Sequence, residues 1–203
     1  MRKFVSTIIL AAGKSSRAGK LKQLLPIGHT TLLGRTLHNY RQSLSNEIIL
    51  VVGYKAGDIV ASIDTEDIVV VNNPDFKLGM SASIQYGLLH SNAEADAFLI
   101  ALADQPSIDA NTINRLIEAF LNSKKSIIVP LYNNRRGNPV IFSAVYRDEL
   151  MRLSGDKGGR EIVTRHAEAV MEVSVECEGV IQDIDTADEY RALLDRLNQR
   201  FED

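Results

Sequence analysis

The strongest constraint on this chain is its alternation. Short, strand-like apolar runs recur at residues 4–11, 47–52, 68–72, 97–102, 126–130 and 169–175, with helix-like stretches between them. Parallel strands require long crossover connections, and amphipathic helices supply them. The pattern therefore predicts an α/β fold with a mainly parallel sheet. Leu32, Leu33, Leu37 and Tyr40 mark one helical stripe, and Ile113, Leu116, Ile117, Phe120 and Leu121 follow the i, i+3, i+4, i+7, i+8 spacing of a second. Asp109 is placed to cap that second helix. Thr186 and Glu189 have capping-box spacing ahead of Tyr190, Leu193, Leu194 and Leu197, which predicts a last helix. No repeat, low-complexity tract or Pro/Ser-rich linker interrupts the series, so residues 1–203 read as one domain, long enough to bury a sizeable core.

The first apolar run ends in Ala11, Ala12 and Gly13, small residues that let a backbone turn sharply. Lys14, Arg17, Lys20 and Lys22 follow with no acid among them. Small residues bring backbone N–H groups close to a ligand and cations neutralise it, which suits a polyphosphate. A solvated basic loop is the alternative. The charge asymmetry extends further: no Asp or Glu precedes Glu47, although the chain as a whole has a net charge of −3. A positive N-terminal quarter on an acidic body argues against tracking a long nucleic-acid backbone and is compatible with a compact anion such as a nucleoside triphosphate. No signal peptide or membrane-spanning run is visible, which makes a cytoplasmic setting the expectation. The single cysteine, Cys177, has no disulfide partner, and His29, His38, His90 and His166 show no metal-ligand spacing.

Asp104 follows the run 97–102 and is expected at the carboxyl end of a central strand, where α/β folds place ligands. There it reads either as a turn former or as an anchor for Mg²⁺, which prefers one or two carboxylates plus phosphate oxygens. Asp183 and Asp185 fall on one face if their segment is extended, and they read as candidates to complete such a site. Asp188 reads as a residue of the last helix's first turn. The segment 79–83 opens a helix; Ser83 either caps it or bonds a nucleotide. Two loops, 133–137 and 154–159, read as a hairpin tip and a glycine-rich segment entering a helix at Arg160, each with a chance of touching substrate. No Ser-His-Asp or Cys-His grouping can be assembled. The Walker pattern fails because Ala18 stands where its second glycine belongs after Gly13, and a dinucleotide fingerprint fails at Ser15.

The run LAAGKSSRAGKLKQLLP closely resembles the L-A-A-G-x-S-x-R-x-G-x-x-K-x-L-L-P signature of nucleotidyltransferases with a MobA-like NTP transferase domain. The segments NPDFKLGMSASIQYGL, ALADQPSID, RGNPVIF, LSGDKGGREIV and DIDTADEY resemble later motifs of the molybdenum cofactor cytidylyltransferase branch, in the same order along nearly the whole chain. The resemblance implies a Rossmann-like three-layer α/β/α sandwich of the nucleotide-diphospho-sugar transferase type. It also implies Mg²⁺-dependent transfer of CMP from CTP to the terminal phosphate of a molybdopterin cofactor, with release of pyrophosphate and a possible recipient molybdoenzyme. Carried onto matching positions, it gives Leu10, Ala11, Ala12 and Gly13 the cradling of base and phosphates. Arg17 and Lys22 hold the triphosphate, Asp104 and Asp185 the metal. Gly79 and Ser83 contact the nucleotide, and Gly137, Asn138 and Arg160 the acceptor. Mg²⁺ on the two aspartates would face Lys22 and Arg17 across the triphosphate. The chain departs from the pattern at Ala18, where Met or Phe is usual, and at Ala103, where glycine is common. Ala12 replaces the glycine usual in guanylyltransferase relatives and points to a pyrimidine base. A sugar or alcohol phosphate acceptor, GTP as donor, and a non-catalytic cofactor carrier remain the competing readings.

Overall fold

The structure, a computed structural model, describes residues 3–14 and 21–199. In chain order its strands and helices are β1 (Val5–Ala11), β2 (Pro26–Ile27), β3 (Thr30–Thr31), α1 (Leu32–Arg41), β4 (Glu47–Val52), α2 (Ala56–Val60) and β5 (Val69–Asn72). Then come α3 (Met80–His90), β6 (Ala97–Leu102), α4 (Ala110–Asn122), β7 (Ile127–Tyr132), β8 (Arg135–Arg136) and β9 (Val140–Ser143). The chain continues through α5 (Arg147–Leu150), α6 (Arg160–Arg165), β10 (Val170–Ser174) and α7 (Ala187–Gln199).

One sheet runs in the order β10-β7-β9-β6-β1-β4-β5, with β8 paired to β7. β1 lies inside it, parallel to β4 on one side and β6 on the other, with Ile8 opposite both Ile49 and Ile100. Its alternation divides the core. Val5 and Ile9 pack with Leu33, Leu37 and Tyr40 of α1 and with Ile113, Leu116 and Phe120 of α4. Ile8 faces the other way, onto Ile84 and Leu88 of α3, Leu150 of α5 and Ile162 of α6. Helices thus cover both faces, which is the three-layer α/β/α arrangement expected from the sequence. The two buried hydroxyls of β1 are satisfied: Ser6 Oγ donates to Glu47 Oε2 at 2.6 Å, and Thr7 Oγ1 lies 2.7 Å from Ser45 Oγ.

The expected strands all form, the fifth reaching Tyr132 rather than Pro130. The hairpin tip forms too: Asn133 and Asn134 both take positive φ, 46° and 61°, between the paired ends of β7 and β8. That is the conformation that two-residue hairpin turns require. β9, by contrast, leaves the hairpin and wedges antiparallel between β6 and β7, so the sheet is mixed rather than wholly parallel.

α3 lies unusually close to the sheet. A methyl group added at Gly87 would sit 2.3 Å from Ile8 Cγ2, so glycine is what lets this helix settle on β1. We expect Gly87→Ala to destabilise the protein by about 1–3 kcal/mol, the usual cost of overpacking a filled core. Urea denaturation measures it; an unchanged midpoint would contradict the close packing.

Candidate active site

The carboxyl ends of β1, β4, β5 and β6 share one edge of the sheet, and a cavity of about 850 Å³ opens there. Leu10, Ala12, Gly13 and Lys14 form one wall as β1 runs out. Among the described residues a Cβ added at Gly13 would have nothing within 4 Å, so they leave the backbone bare at that point. Ala12 lines the cavity although it is only 3% exposed, and its methyl lies close to Gly53.

Opposite stand Asp104, Asp183 and Asp185. The backbone places them: Ala103 N–H donates to Leu10 O at 3.1 Å, and Ile184 N–H donates to Asp104 O at 3.2 Å. The segment 183–185 is thereby tied to the end of β6. The capping box expected at α7 is present and has a second task. Glu189 Oε2 accepts from Thr186 N at 2.6 Å and also from Asp185 N at 2.8 Å, while Glu189 N–H donates to Thr186 Oγ1 at 3.1 Å. The Asp185 N–H leads these bonds in holding the Glu189 carboxyl below the ordinary glutamate value.

Lys22 joins the two sides. Its ammonium is 2.8 Å from Asp185 Oδ1 and in short contact with Asp104 Oδ2. Burial by itself would lower the pKa of Lys22, but the charges and hydrogen bonds of the two carboxylates outweigh it and raise the pKa above the ordinary lysine value. The sequence reading put Lys22 and the two aspartates on opposite sides of a ligand; the structure puts them in contact. Asp183 is different. Burial, then the charges of Asp104 and Asp185, push its carboxyl above the ordinary aspartate value, against the Gln105 Nε2 hydrogen bond at 2.8 Å and the Lys22 charge.

The third wall is the start of α3. Its N-terminal residue Gly79 has φ +103° and an added Cβ would lie 2.4 Å from Gly155 C, so the glycine-rich loop 154–159 rests directly on it. Ser81 N–H donates to Gly155 O at 3.1 Å, and Met80 N–H donates to Asp156 Oδ1 at 3.2 Å. The capping group of α3 is thus Asp156, far away in sequence. Ser83 does not cap; its hydroxyl accepts from Asn73 Nδ2 at 3.0 Å, and the residue lines the cavity.

Of the residues singled out in the sequence, Leu10, Ala12, Gly13, Lys22, Gly79, Ser83, Asp104 and Asp185 line one cavity. Ala11 points to the opposite face, into the α1/α4 core. Arg17 lies outside the described residues. Gly137, Asn138 and Arg160 are not among the cavity's lining residues. The Gly137 and Asn138 N–H groups are taken up by Pro130 O at 3.0 Å and Val180 O at 2.8 Å, and Arg160 is exposed at the head of α6. The cavity also uses residues not singled out, among them Phe76, Met80, Asp156 and Tyr190. For Asp156 a signal existed, the glycine-rich loop that carries it; Phe76 and Tyr190 lie within the family-like segments NPDFKLGMSASIQYGL and DIDTADEY, but nothing in their own pattern marked them individually.

The family model for the MobA-like NTP transferase domain matches residues 7–170. The chain belongs to this family. It is a nucleotidyltransferase, an enzyme that brings together an NTP and a phosphorylated acceptor. The molybdenum cofactor cytidylyltransferase of Escherichia coli K12 is 27% identical over 201 residues, covering 96% of this chain and 98% of its own. Nicotine blue oxidoreductase of Paenarthrobacter nicotinovorans is 28% identical over 199 residues, covering 94% and 96%. Among solved structures, Rv0371c of Mycobacterium tuberculosis H37Rv superposes with a TM-score of 0.86 at 34% identity, over 96% of this chain and 100% of that one. Rv0371c has also been solved in complex with manganese, a structure with a TM-score of 0.82 that spans 95% of this chain and 99% of its own.

In this MobA-like transferase the acidic wall fits a hard divalent cation. Asp104 Oδ1 is buried with no hydrogen-bond partner among the described residues, and Asp104 and Asp185 already converge on one cation, the Lys22 ammonium. Among the described residues no three His, Cys, Asp or Glu side chains converge as a complete metal cage. A two-carboxylate site leaves room for phosphate oxygens and water, as Mg²⁺ requires.

The Glu189 bonds yield a pH-dependent expectation. A carboxyl with a depressed folded pKa stabilises above its unfolded pKa, and that contribution is lost as pH falls through the folded value. Glu189→Ala should cost about 0.5–1 kcal/mol at neutral pH, the range for losing a helix cap. The gap from wild type should narrow below about pH 4, under the unfolded glutamate value. Thermal melts of both proteins across this range measure it; a gap independent of pH would contradict the role of the charge.

Proposed function

We propose that this protein is a Mg²⁺-dependent cytidylyltransferase that transfers CMP from CTP to the terminal phosphate of a molybdopterin cofactor and releases pyrophosphate. The observation that carries this reading is the pairing, in one cavity, of Lys14 and Lys22 with Asp104 and Asp185 beneath a bare backbone at Gly13. A pure anion carrier has no use for the carboxylates. The similarity to nicotine blue oxidoreductase is no lower than that to the cytidylyltransferase, and this pairing of charges is what favours nucleotidyl transfer.

In this reading the base lies against Ala12 and Phe76, with the Ser83 hydroxyl in reach and Gly79 beside it. Gly13 N–H, Lys14, Lys22 and Arg17 hold the triphosphate, Arg17 by resemblance alone. Bound at Asp104 and Asp185, Mg²⁺ would supply charge neutralisation and orientation to the triphosphate. An acceptor phosphate oxygen bonds to the α-phosphorus as the bond from that phosphorus to the β-phosphate oxygen breaks. Two anions meet in this step, so the protein's work is alignment and neutralisation. A phosphate monoester is largely ionised near pH 7, so no histidine or cysteine base is needed. Gly137, Asn138 and Arg160 remain candidates for the far end of a long acceptor, three residues of chain separating Arg160 from the cavity residue Asp156. We assign the whole chain to one catalytic domain whose product passes to a recipient molybdoenzyme.

Incubation with CTP, Mg²⁺ and the molybdopterin cofactor is expected to release pyrophosphate, and CTP is expected to raise the melting temperature more than GTP, ATP or UTP. Release with a sugar phosphate but not with the cofactor would overturn the acceptor, and a larger shift with GTP would overturn the base. Asp104→Ala should abolish turnover with the fold intact by circular dichroism. Wild-type rates in that variant would refute the metal role.

A further inference from the structure

The three side chains at the heart of the cavity reach one another from separate parts of the chain. Lys22 heads a short 3₁₀ turn, Asp104 follows β6, and Asp185 precedes α7. Lys22 and Asp104 are about four-fifths shielded from solvent, with side-chain exposures of 20% and 18%, while Asp185 is 55% exposed. The Lys22 ammonium bridges the two carboxylates, touching Asp104 Oδ2 and lying 2.8 Å from Asp185 Oδ1. It thus occupies the position that a divalent ion shared by those carboxylates would take.

We propose that Lys22 is a resident cation that gates the metal site: it holds Asp104 and Asp185 until a triphosphate draws its ammonium away, so the protein binds a divalent ion tightly only together with the triphosphate. This rests on the reading that the cavity takes a metal–triphosphate pair. The reasoning is electrostatic. A divalent ion ligated by the same two carboxylates sits about 2.1 Å from their oxygens. An ammonium left at bonding distance from those oxygens would then lie within a few ångströms of the ion, in a partly buried site where like charges repel strongly. Only one of the two cations fits.

A triphosphate resolves the competition because it serves both. Its oxygens give the ammonium a new partner a short swing away, toward Gly13 and Lys14, and they complete the ion's shell. The lysine also has a task before the ligand arrives. Asp104, Asp183 and Asp185 line one wall, and Lys22 offsets their mutual repulsion. The coupling is reciprocal: whatever the triphosphate adds to metal affinity, the metal adds to triphosphate affinity.

The test uses Mn²⁺ as the probe, with the Mn²⁺ held by the full chain counted by equilibrium dialysis, because triphosphate itself chelates the free ion. For the wild type, Mn²⁺ affinity is expected to rise about tenfold or more when inorganic triphosphate or α,β-methylene-CTP is added, within the usual span of coupled sites. Lys22→Met, which keeps the stem and removes the charge, is expected to bind Mn²⁺ alone about tenfold more tightly than the wild type and to gain less from triphosphate than the wild type does, because only the phosphate ligation remains to be gained. Lys22→Met binding Mn²⁺ no more tightly than the wild type overturns the proposal. So does a wild-type affinity that is the same with and without triphosphate, a measurement that needs no variant. A response to inorganic triphosphate without one to the CTP analogue upholds the gate and overturns the base assignment instead.

Discussion

The parallel pairing of β1 with both β4 and β6 is the constraint on which the rest of this structure depends. It turns the carboxyl ends of three adjacent strands to one edge, so the chain leaving β1 at Ala12 and the chain leaving β6 at Ala103 emerge side by side. Everything chemical follows from that adjacency. The first exit carries the small residues and the cations, and the second carries Asp104. The hydrogen bond from Ile184 to Asp104 then brings Asp185 to the same place. The alternation of Ile8 and Ile9 across β1 anchors helices on both faces, which keeps the edge rigid while the loops above it remain free to specialise.

Electrostatics explains why the site is built as a set of opposites. Three carboxylates on one wall repel, and the cost is visible at Asp183, whose carboxyl is pushed above its ordinary value by burial and by its neighbours' charges. Lys22 compensates Asp104 and Asp185, Gln105 donates to Asp183, and Glu189 fixes the backbone of Asp185. A wall of this kind is poised to trade an internal cation for an external one. The same charges that cost stability in the resting protein would bind a metal–triphosphate when it arrives.

Most of the sheet was legible in the sequence because strands buried on both faces read as unbroken apolar runs, as at Ile48–Val52 and Ala97–Leu102. The caps at Asp109 and Thr186 were legible because they are local. What was hidden is what depends on distance. β9 has only four residues, and nothing local announces that it slots antiparallel between β6 and β7. Ser83 could be read as a cap or as a nucleotide contact, yet α3 is capped by Asp156, 76 residues from Met80. Gly137 and Asn138 were given an acceptor contact by the resemblance, yet their N–H groups are spent on Pro130 and Val180. Asp104, Asp185 and Lys22 could each be picked out by position or family pattern; their direct contact could not, because it depends on three segments meeting.

The decisive test for a metal-bound nucleotide among the opposed charges around Lys22 is a crystal structure with α,β-methylene-CTP and Mn²⁺, located by anomalous scattering. One Mn²⁺ is expected on Asp104 and Asp185, with the triphosphate on Gly13 and Lys14 and the Lys22 ammonium moved onto phosphate oxygens. Mn²⁺ bound elsewhere, or Lys22 still bridging the two aspartates beside a bound nucleotide, would contradict it.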